Sequence, residues 1–368
     1  MKILFIHPHK FRRINSKIYS LGGLSETVLK RYIDKNDDIT VIARIVDENE
    51  SKSSYSEIID PRIKILDISN IKRIGLKNNI KSADLIIVRL PCIIGNESIK
   101  IAKRYNKKYI VEVVGCAWDA YWNHGLIGKI LAPWMFLYTK RVVKNANKVL
   151  YVSNEFLQKR YPTKGEQFAC SDVSLPEKNE SVLLKRKNKI KNMKAEKEVI
   201  IGTIGATNIK YKGQQYVIRA IAKLKKEGYK LRYQIIGSGD NSYLKKTAIR
   251  NKVEKEVDFV GNISHDKIFN YLDNMDIYIQ PSNQEGLCRA LIEAMSRGCP
   301  CIASNAGGNI ELINKTFIFK KKSINDLIKK IKNMTSENME KQSYENFYKA
   351  KKYSSKKLEK IRKDFYKL

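Results

Sequence analysis

MDIYIQPSNQEGLCRALIEAMSRGCPCIASN, residues 275–305, reads as a strand, a helix and a second strand in succession. MDIYIQPS (275–282) and CPCIASN (299–305) are short apolar runs of the kind that buried parallel strands show. Between them Leu287, Ala290, Leu291, Ala294 and Met295 recur at three- and four-residue spacing, the period of a packed helix. Gly286 opens this predicted helix and Gly298 closes it, with Pro300 beyond as a stop. Two acids, Glu285 and Glu293, frame it. Eight residues of helix advance about 12 Å, slightly over two turns, so both carboxylates are expected on one line. Two carboxylates near a helix N-terminus point to a ligand rich in hydroxyls.

The same alternation extends in both directions. KILFIHP (2–8), DITVIARI (38–45), ADLIIVRL (83–90), KYIVEVVG (108–115) and NKVLYVSN (147–154) form one series of strand-like runs. Helical stretches such as 24–34 and 133–146 lie between them. EVIIGTIG (198–205), LRYQIIGSG (231–239) and EVDFVGN (256–262) begin a second series that the opening stretch completes. The runs are continuously apolar rather than alternating, as in parallel sheets covered on both faces. The chain is therefore expected to be α/β: two doubly wound, Rossmann-like domains facing a central cleft at the carboxyl ends of their strands. Residues 1–177 are assigned to the first domain, the Lys-rich stretch 178–197 to a linker or solvated loop, 198–340 to the second domain, and 341–368 to a C-terminal helix.

Composition narrows the function classes. At 368 residues the chain exceeds what one core ordinarily serves. It carries 71 Lys+Arg against 38 Asp+Glu, a formal charge of +33, which suits nucleic acid, an anionic membrane surface or phosphorylated substrates. The lysines are scattered along the whole length, which argues against a nucleic-acid stripe. Six cysteines show no paired spacing and the four histidines are dispersed, so no metal site is expected and the thiols read as reduced core residues of a cytoplasmic protein. The N-terminal apolar run is too short for a signal peptide, and no stretch reaches the ~18 apolar residues of a membrane span.

Several loops have the composition of ligand sites. Gly22-Gly23, just before a predicted helix, would let backbone amides approach a phosphate, although a plain glycine turn reads the same. Lys212-Gly213 likewise precedes an amphipathic helix, where a lysine can neutralise a diphosphate, although in so Lys-rich a chain a solvated surface lysine reads the same. Gly237-Ser238-Gly239 lacks the third glycine and the following acid of a dinucleotide fingerprint, so it gives no support for NAD. VEVVGCAWDAYWNHG (111–125) groups Asp119 and His124 with Trp118, Tyr121 and Trp122, either a sugar-stacking acceptor site or a packed aromatic corner. LIGKILAPWMFLYTKRVVK (126–144) combines large apolar residues with Lys129, Lys140, Arg141 and Lys144. It reads both as a helix in the bilayer interface and as a helix packed on the sheet.

Lys212-Gly213, GNISHDKIFNYLDNMDIYIQPS (261–282) and above all EGLCRALIEAMSRGCPCIASNAGG (285–308) resemble the retaining, nucleotide-sugar-dependent glycosyltransferases of the GT-B fold, the large group called family four or glycosyl transferases group 1. The resemblance covers essentially the whole chain, and the Glu, seven residues, Glu element is its specific mark. It implies that Glu293 holds the ribose hydroxyls and Glu285 the hydroxyls of the donor sugar. Gly286 and Leu287 would meet the diphosphate or the sugar hydroxyls, and Lys212 would stabilise the charge that develops as the glycosidic bond breaks. Gly22, Gly23, Ser282 and Lys210 complete the implied donor site, and Asp119, His124 and Trp118 the implied acceptor site. The C-terminal helix is expected to return to the first domain.

The resemblance further implies a UDP- or GDP-sugar donor, a saccharide or polyprenyl-diphosphate-linked acceptor, and a role in bacterial surface polysaccharide synthesis, peripheral on the inner membrane face. No cofactor and no metal are expected, and the sequence contains no Asp-x-Asp pair. Two departures stand out. Thr207 occupies the place of an arginine that the family usually has, for which Lys210 is the available substitute, and no family histidine follows the fifth strand. A nucleotide-sugar epimerase of the same fold and a charge-driven nucleic-acid binder are the competing readings.

Overall fold

Ile3, Leu4, Phe5 and Ile6 are all buried, because β1 (Lys2–Ile14) runs through the middle of a sheet covered on both faces. The computed structural model describes residues 1–20, 22–49, 55–123, 125–176, 179–193 and 197–366. Two units are present. The first comprises Met1–Cys170 together with the chain from Glu359 onward, and the second comprises Ser171–Leu358.

In the first unit β1 lies between β3 (Asp38–Asp47) and β6 (Leu85–Leu90), parallel to both. The parallel array continues through β5 (Ile63–Asp67) beyond β3, and through β7 (Tyr109–Val113), β8 (Lys148–Tyr151) and β9 (Glu166–Ala169) beyond β6. Sequence reading ends β1 at Pro8, yet the strand continues. Its register against β3 shifts between Ile6 and Lys10, which accommodates a proline that cannot donate to the ladder. The extension turns back through Asn15 and Ser16, both with positive φ, into the antiparallel β2 (Lys17–Ser20), which carries β4 (Ser56–Glu57). The helix expected over 133–146 begins earlier and spans Gly125–Lys144 with Pro133 inside it.

The second unit is a six-stranded, wholly parallel sheet in the order β12-β11-β10-β13-β14-β15. Its strands are β10 (Val199–Ile204), β11 (Leu231–Ile236), β12 (Val257–Gly261), β13 (Ile277–Gln280), β14 (Cys301–Ser304) and β15 (Ile318–Phe319). Strand order reverses between β10 and β13, the switch point where doubly wound sheets bind ligands. Ile201, Val217, Ile221, Ile235, Ile279 and Ile302 belong to the core that joins this sheet to its helices.

The stretch expected as a linker is mostly helical. Glu180–Lys191 forms a helix whose first turn is capped by Asn179, which accepts from the Ser181 amide at 2.9 Å. Leu183, Arg186 and Ile190 face inward, a stripe that the surrounding lysines mask in the sequence. Buried Arg186 donates to the Met275 and Leu272 carbonyls at 2.5 and 2.6 Å, at the C-terminal end of the helix His265–Asn274, where the helix dipole favours a cation. Ser171–Pro176 also goes with the second unit: Val173 and Leu175 are buried, and the Leu175 carbonyl accepts from Ser355 Oγ at 2.8 Å. The single helix expected at the C-terminus is two, Ser336–Ala350 and Ser355–Tyr366. The second carries Phe365 against Phe168 and the Tyr366 hydroxyl onto Glu112 of the first unit. All six cysteines are buried and none forms a disulfide, and among the described residues no helix is long and apolar enough to cross a membrane.

Arg186→Met should leave two buried carbonyls without donors and lower the unfolding free energy by about 2–3 kcal/mol. Lys185→Met, at an exposed position of the same helix, should stay within about 0.5 kcal/mol in the same urea titration.

Candidate functional site

Because all six strands of the second sheet are parallel, the loops that follow them leave from one edge. The turn Lys210–Lys212 follows β10, residues 281–288 follow β13, and 305–308 follow β14. Close backbone approach holds these loops together. Gly213 has φ +83°, and a Cβ there would lie 2.0 Å from the Pro281 carbonyl oxygen. Gly307, at φ +55°, would place a Cβ 1.8 Å from the Glu285 carbonyl oxygen. Only glycine satisfies both the dihedral and the space at these points.

The loops converge on Glu285. Its Oε1 accepts from Lys212 Nζ at 2.8 Å, Ser282 Oγ at 2.7 Å and Gln280 Nε2 at 3.2 Å. Behind it, Gln280 Nε2 also donates to Ser282 Oγ at 2.6 Å, and the buried Tyr278 hydroxyl donates to Gln280 Oε1 at 2.5 Å. The Ser282 carbonyl is fixed in turn by Ser304 Oγ. A relay of side chains from the core of β13 therefore orients one carboxylate oxygen. Burial alone would lower the pKa of Lys212, but the Glu285 charge and the hydrogen bond to it reverse this and hold the ammonium above the ordinary lysine range.

Glu293 sits on the helix Arg289–Ser296, nearly all of its side chain buried, with Oε1 3.0 Å from His265 Nε2. The bond to Glu293 raises the His265 pKa above its ordinary 6.5, burial opposes this, and the Glu293 charge adds to the rise. His265 escaped the sequence reading as one of four dispersed histidines. Its place at the start of the helix His265–Asn274 was the available signal.

The predicted helix start needs correction. Gly286 and Leu287 precede the helix, which is entered at Arg289 after the extended Cys288. The Gly286 carbonyl accepts from the Gly308 amide at 2.9 Å, so this segment is tied to the loop after β14 rather than wound into the first turn. Glu285 is accordingly a loop residue and Glu293 a helix residue, and the two do not share a helical line. Lys210 is directed elsewhere too: its ammonium lies 4.9 Å from the centre of the Tyr243 ring, and among the described residues it makes no ion pair with Glu285. Thr207 is buried and bonded to the Ser238 and Gly239 carbonyls at 3.2 and 2.8 Å, tying the loops after β10 and β11.

In the first unit, Gly22 and Gly23 are exposed in the loop after β2, and only the short helix Glu26–Leu29 follows. Trp118 and Asp119 lie on the helix Ala117–Trp122. The Trp118 ring stacks on Trp122, with centroids 5.4 Å apart, and meets Phe136 edge-on at 6.3 Å. The backbone carbonyl of Asp119 accepts from Asn123 Nδ2 at 2.9 Å. His124 lies outside the described residues.

Comparison with known proteins supplies the family. The profile described as glycosyl transferases group 1 matches residues 185–353, which contain Lys212, His265, Glu285 and Glu293. The chain is 36% identical over 349 residues to Protein CapJ of Staphylococcus aureus, covering 90% of this chain and 85% of that protein. Over 109 residues it is 39% identical to the amylovoran biosynthesis glycosyltransferase AmsK of Erwinia amylovora, 28% of this chain and 27% of AmsK. The crystal structure of Anabaena HepE in complex with UDP and glucose superposes with a TM-score of 0.66 at 15% identity, covering 99% of this chain and 98% of HepE. That likeness is one of fold, the GT-B architecture of two Rossmann-like domains. The chain belongs to the glycosyl transferases group 1 family and is a glycosyltransferase.

Proposed function

We propose that the protein transfers a sugar, with retention of anomeric configuration and without a divalent metal, from a nucleoside diphosphate sugar to a saccharide or polyprenyl-diphosphate-linked acceptor in bacterial surface polysaccharide synthesis. The observation that carries this reading is the Lys212–Glu285 pair at the mouth of β13, with the His265-held Glu293 eight residues on. Among the described residues three donors reach Glu285, all on Oε1, which leaves Oε2 to take a hydroxyl of the donor sugar. An ammonium has three protons. Lys212 uses one on Glu285 and has two for the diphosphate, whose charge grows as the glycosidic bond breaks. Glu293, acceptor-only and anchored at one oxygen by His265, suits the vicinal hydroxyls of ribose. The amides of Gly286 and Leu287 lie beside Glu285 in sequence and would face the diphosphate from the loop.

In this reading the departing phosphate takes the acceptor proton on the same face of the sugar, so no separate protein base is required. Lys212 supplies the charge neutralisation that a metal ion gives elsewhere. A UDP-sugar is favoured over a GDP-sugar by the likeness to HepE, whose structure holds UDP and glucose. The likeness to AmsK over part of the chain supports a polysaccharide product. A lipid-borne acceptor would place the enzyme at the inner face of the cytoplasmic membrane.

Thermal unfolding against a panel of UDP-, GDP- and ADP-sugars identifies the donor, since a ligand at 100 times its Kd adds about 2.7 kcal/mol of stability. Transfer should proceed at the same rate after EDTA treatment; activity abolished by EDTA and restored by Mn²⁺ would overturn metal independence. Glu285→Gln should lower kcat about 10²-fold, equivalent to about 2.7 kcal/mol of transition-state stabilisation. Glu293→Gln should raise the donor KM more than it lowers kcat, because the ribose is unchanged between ground and transition states. Turnover near wild type in both variants would remove the basis of the assignment.

The His265–Glu293 pair gives a pH signature. A histidine with a raised folded-state pKa contributes stability that is fully present below about 6.5 and is lost as pH rises through the raised value. NMR titration should place the His265 pKa above 6.5 in the wild type and closer to 6.5 in Glu293→Gln. Identical titrations in the two proteins would exclude the pair.

A further inference from the structure

The helix Gly125–Lys144 has two unlike faces. Gly128, Ala132, Met135, Thr139, Val142 and Val143 are buried within the first unit. On the opposite face Leu126, Ile127, Ile130, Trp134 and Leu137 are 78, 75, 78, 57 and 64% exposed. Residues 126, 130, 134 and 137 follow at intervals of four, four and three, so they form one continuous ridge along the helix. A group of large apolar side chains this exposed marks an interaction surface. Trp122, 40% exposed in the preceding helix, has Lys129 Nζ 5.9 Å from its ring centre.

Charge decides what covers the ridge. Lys129, Lys140, Arg141 and Lys144 are exposed on the same helix, which contains no aspartate or glutamate. A second copy of the chain packed ridge to ridge would bring these cations against themselves, with no carboxylate on either helix to meet them, and each chain carries a formal charge of +33. An anionic bilayer satisfies both features. Its acyl boundary takes the apolar side chains and its headgroups take the ammonium and guanidinium groups. The helix is about 30 Å long and buried along its other face, so it lies on the surface and does not cross it.

We propose that the exposed face of Gly125–Lys144 docks the protein on an anionic lipid surface, with Leu126, Ile130, Trp134 and Leu137 inserted at the headgroup–acyl boundary and Lys129, Lys140 and Arg141 on the headgroups. The proposal does not depend on the sugar-transfer reading, because its test uses no donor or acceptor. The full chain is sedimented with vesicles of phosphatidylcholine containing about a quarter phosphatidylglycerol, and separately with phosphatidylcholine alone. Binding should be strong on the anionic vesicles at low salt, and weak on the neutral ones.

Lys129→Gln/Lys140→Gln/Arg141→Gln should lower the partition coefficient on the order of 100-fold. Ile130→Ser/Trp134→Ser/Leu137→Ser should abolish binding even at low salt, with circular dichroism and melting temperature close to wild type because all three positions are on the surface. Brominated acyl chains should quench tryptophan emission in the wild type and less in Trp134→Phe. Equal binding to neutral and anionic vesicles, or serine variants that bind as the wild type does, would overturn the proposal. It would equally be overturned by a wild-type dimer in light scattering that ignores vesicles and becomes monomeric in the serine variant, since the ridge would then seat a second copy.

Discussion

A carboxylate drawn into protein must be met by donors, and the loops after β10 and β13 are arranged around meeting that need at Glu285. Lys212, Ser282 and Gln280 come from two strand-following loops and from the end of β13 itself, and all three reach the same oxygen. That convergence requires the loops after β10, β13 and β14 to approach within backbone contact, which Gly213 and Gly307 permit and any side chain would block. The charge of Glu285 also sets the state of its partner. Burial would favour a neutral amine at position 212, whereas the neighbouring carboxylate keeps it an ammonium. In the proposed reaction, such a cation, already in place, would need little reorganisation as charge develops on a leaving phosphate.

The same rule of paired buried charge organises the rest of the molecule. In the first unit Glu112 lies within 3.0 Å of Arg89 Nε, accepts from the Tyr32 hydroxyl at 3.2 Å, and also accepts from Tyr366 on the last helix. The C-terminal segment is thus fixed by a polar anchor as well as by Phe365. Losing one partner of such a cluster costs more than the cluster adds, because the remaining charge stays buried and unsatisfied. Arg186 plays the corresponding part in the second unit with backbone carbonyls as its acceptors.

Much of the fold was legible in short runs. The central strands of both sheets, the Lys212-Gly213 turn and the Glu285/Glu293 pair are local patterns, and the structure places the turn and Glu285 together; the edge strands β2, β4, β5, β9 and β15 are too short or too polar to stand out as apolar runs. What escaped was non-local. Arg186 in a Lys-rich stretch reads as solvated until the carbonyls of Leu272 and Met275, nearly ninety residues away, are seen to receive it. His265 acquires a role only because the helix carrying Glu293 packs beside it, 28 residues on. β1 continues past Pro8 because its neighbour tolerates a slip in register, which no property of the proline itself announces.

By itself the sequence marked the central strands of both sheets, several of the turns, and the residue types that could grip hydroxyls and phosphate. These follow from side-chain periodicity and from the dihedral freedom of glycine, both of which act over a few residues. Only the tertiary structure decided that Glu285 belongs to a loop and Glu293 to a helix, since the bond from the Gly308 amide to the Gly286 carbonyl holds the chain out of the first turn. Only it decided which apolar face of Gly125–Lys144 is covered. A 3.6-residue period shows that a helix has an apolar side, but burial depends on what packs against it, and here the ridge of Leu126, Ile130, Trp134 and Leu137 faces outward.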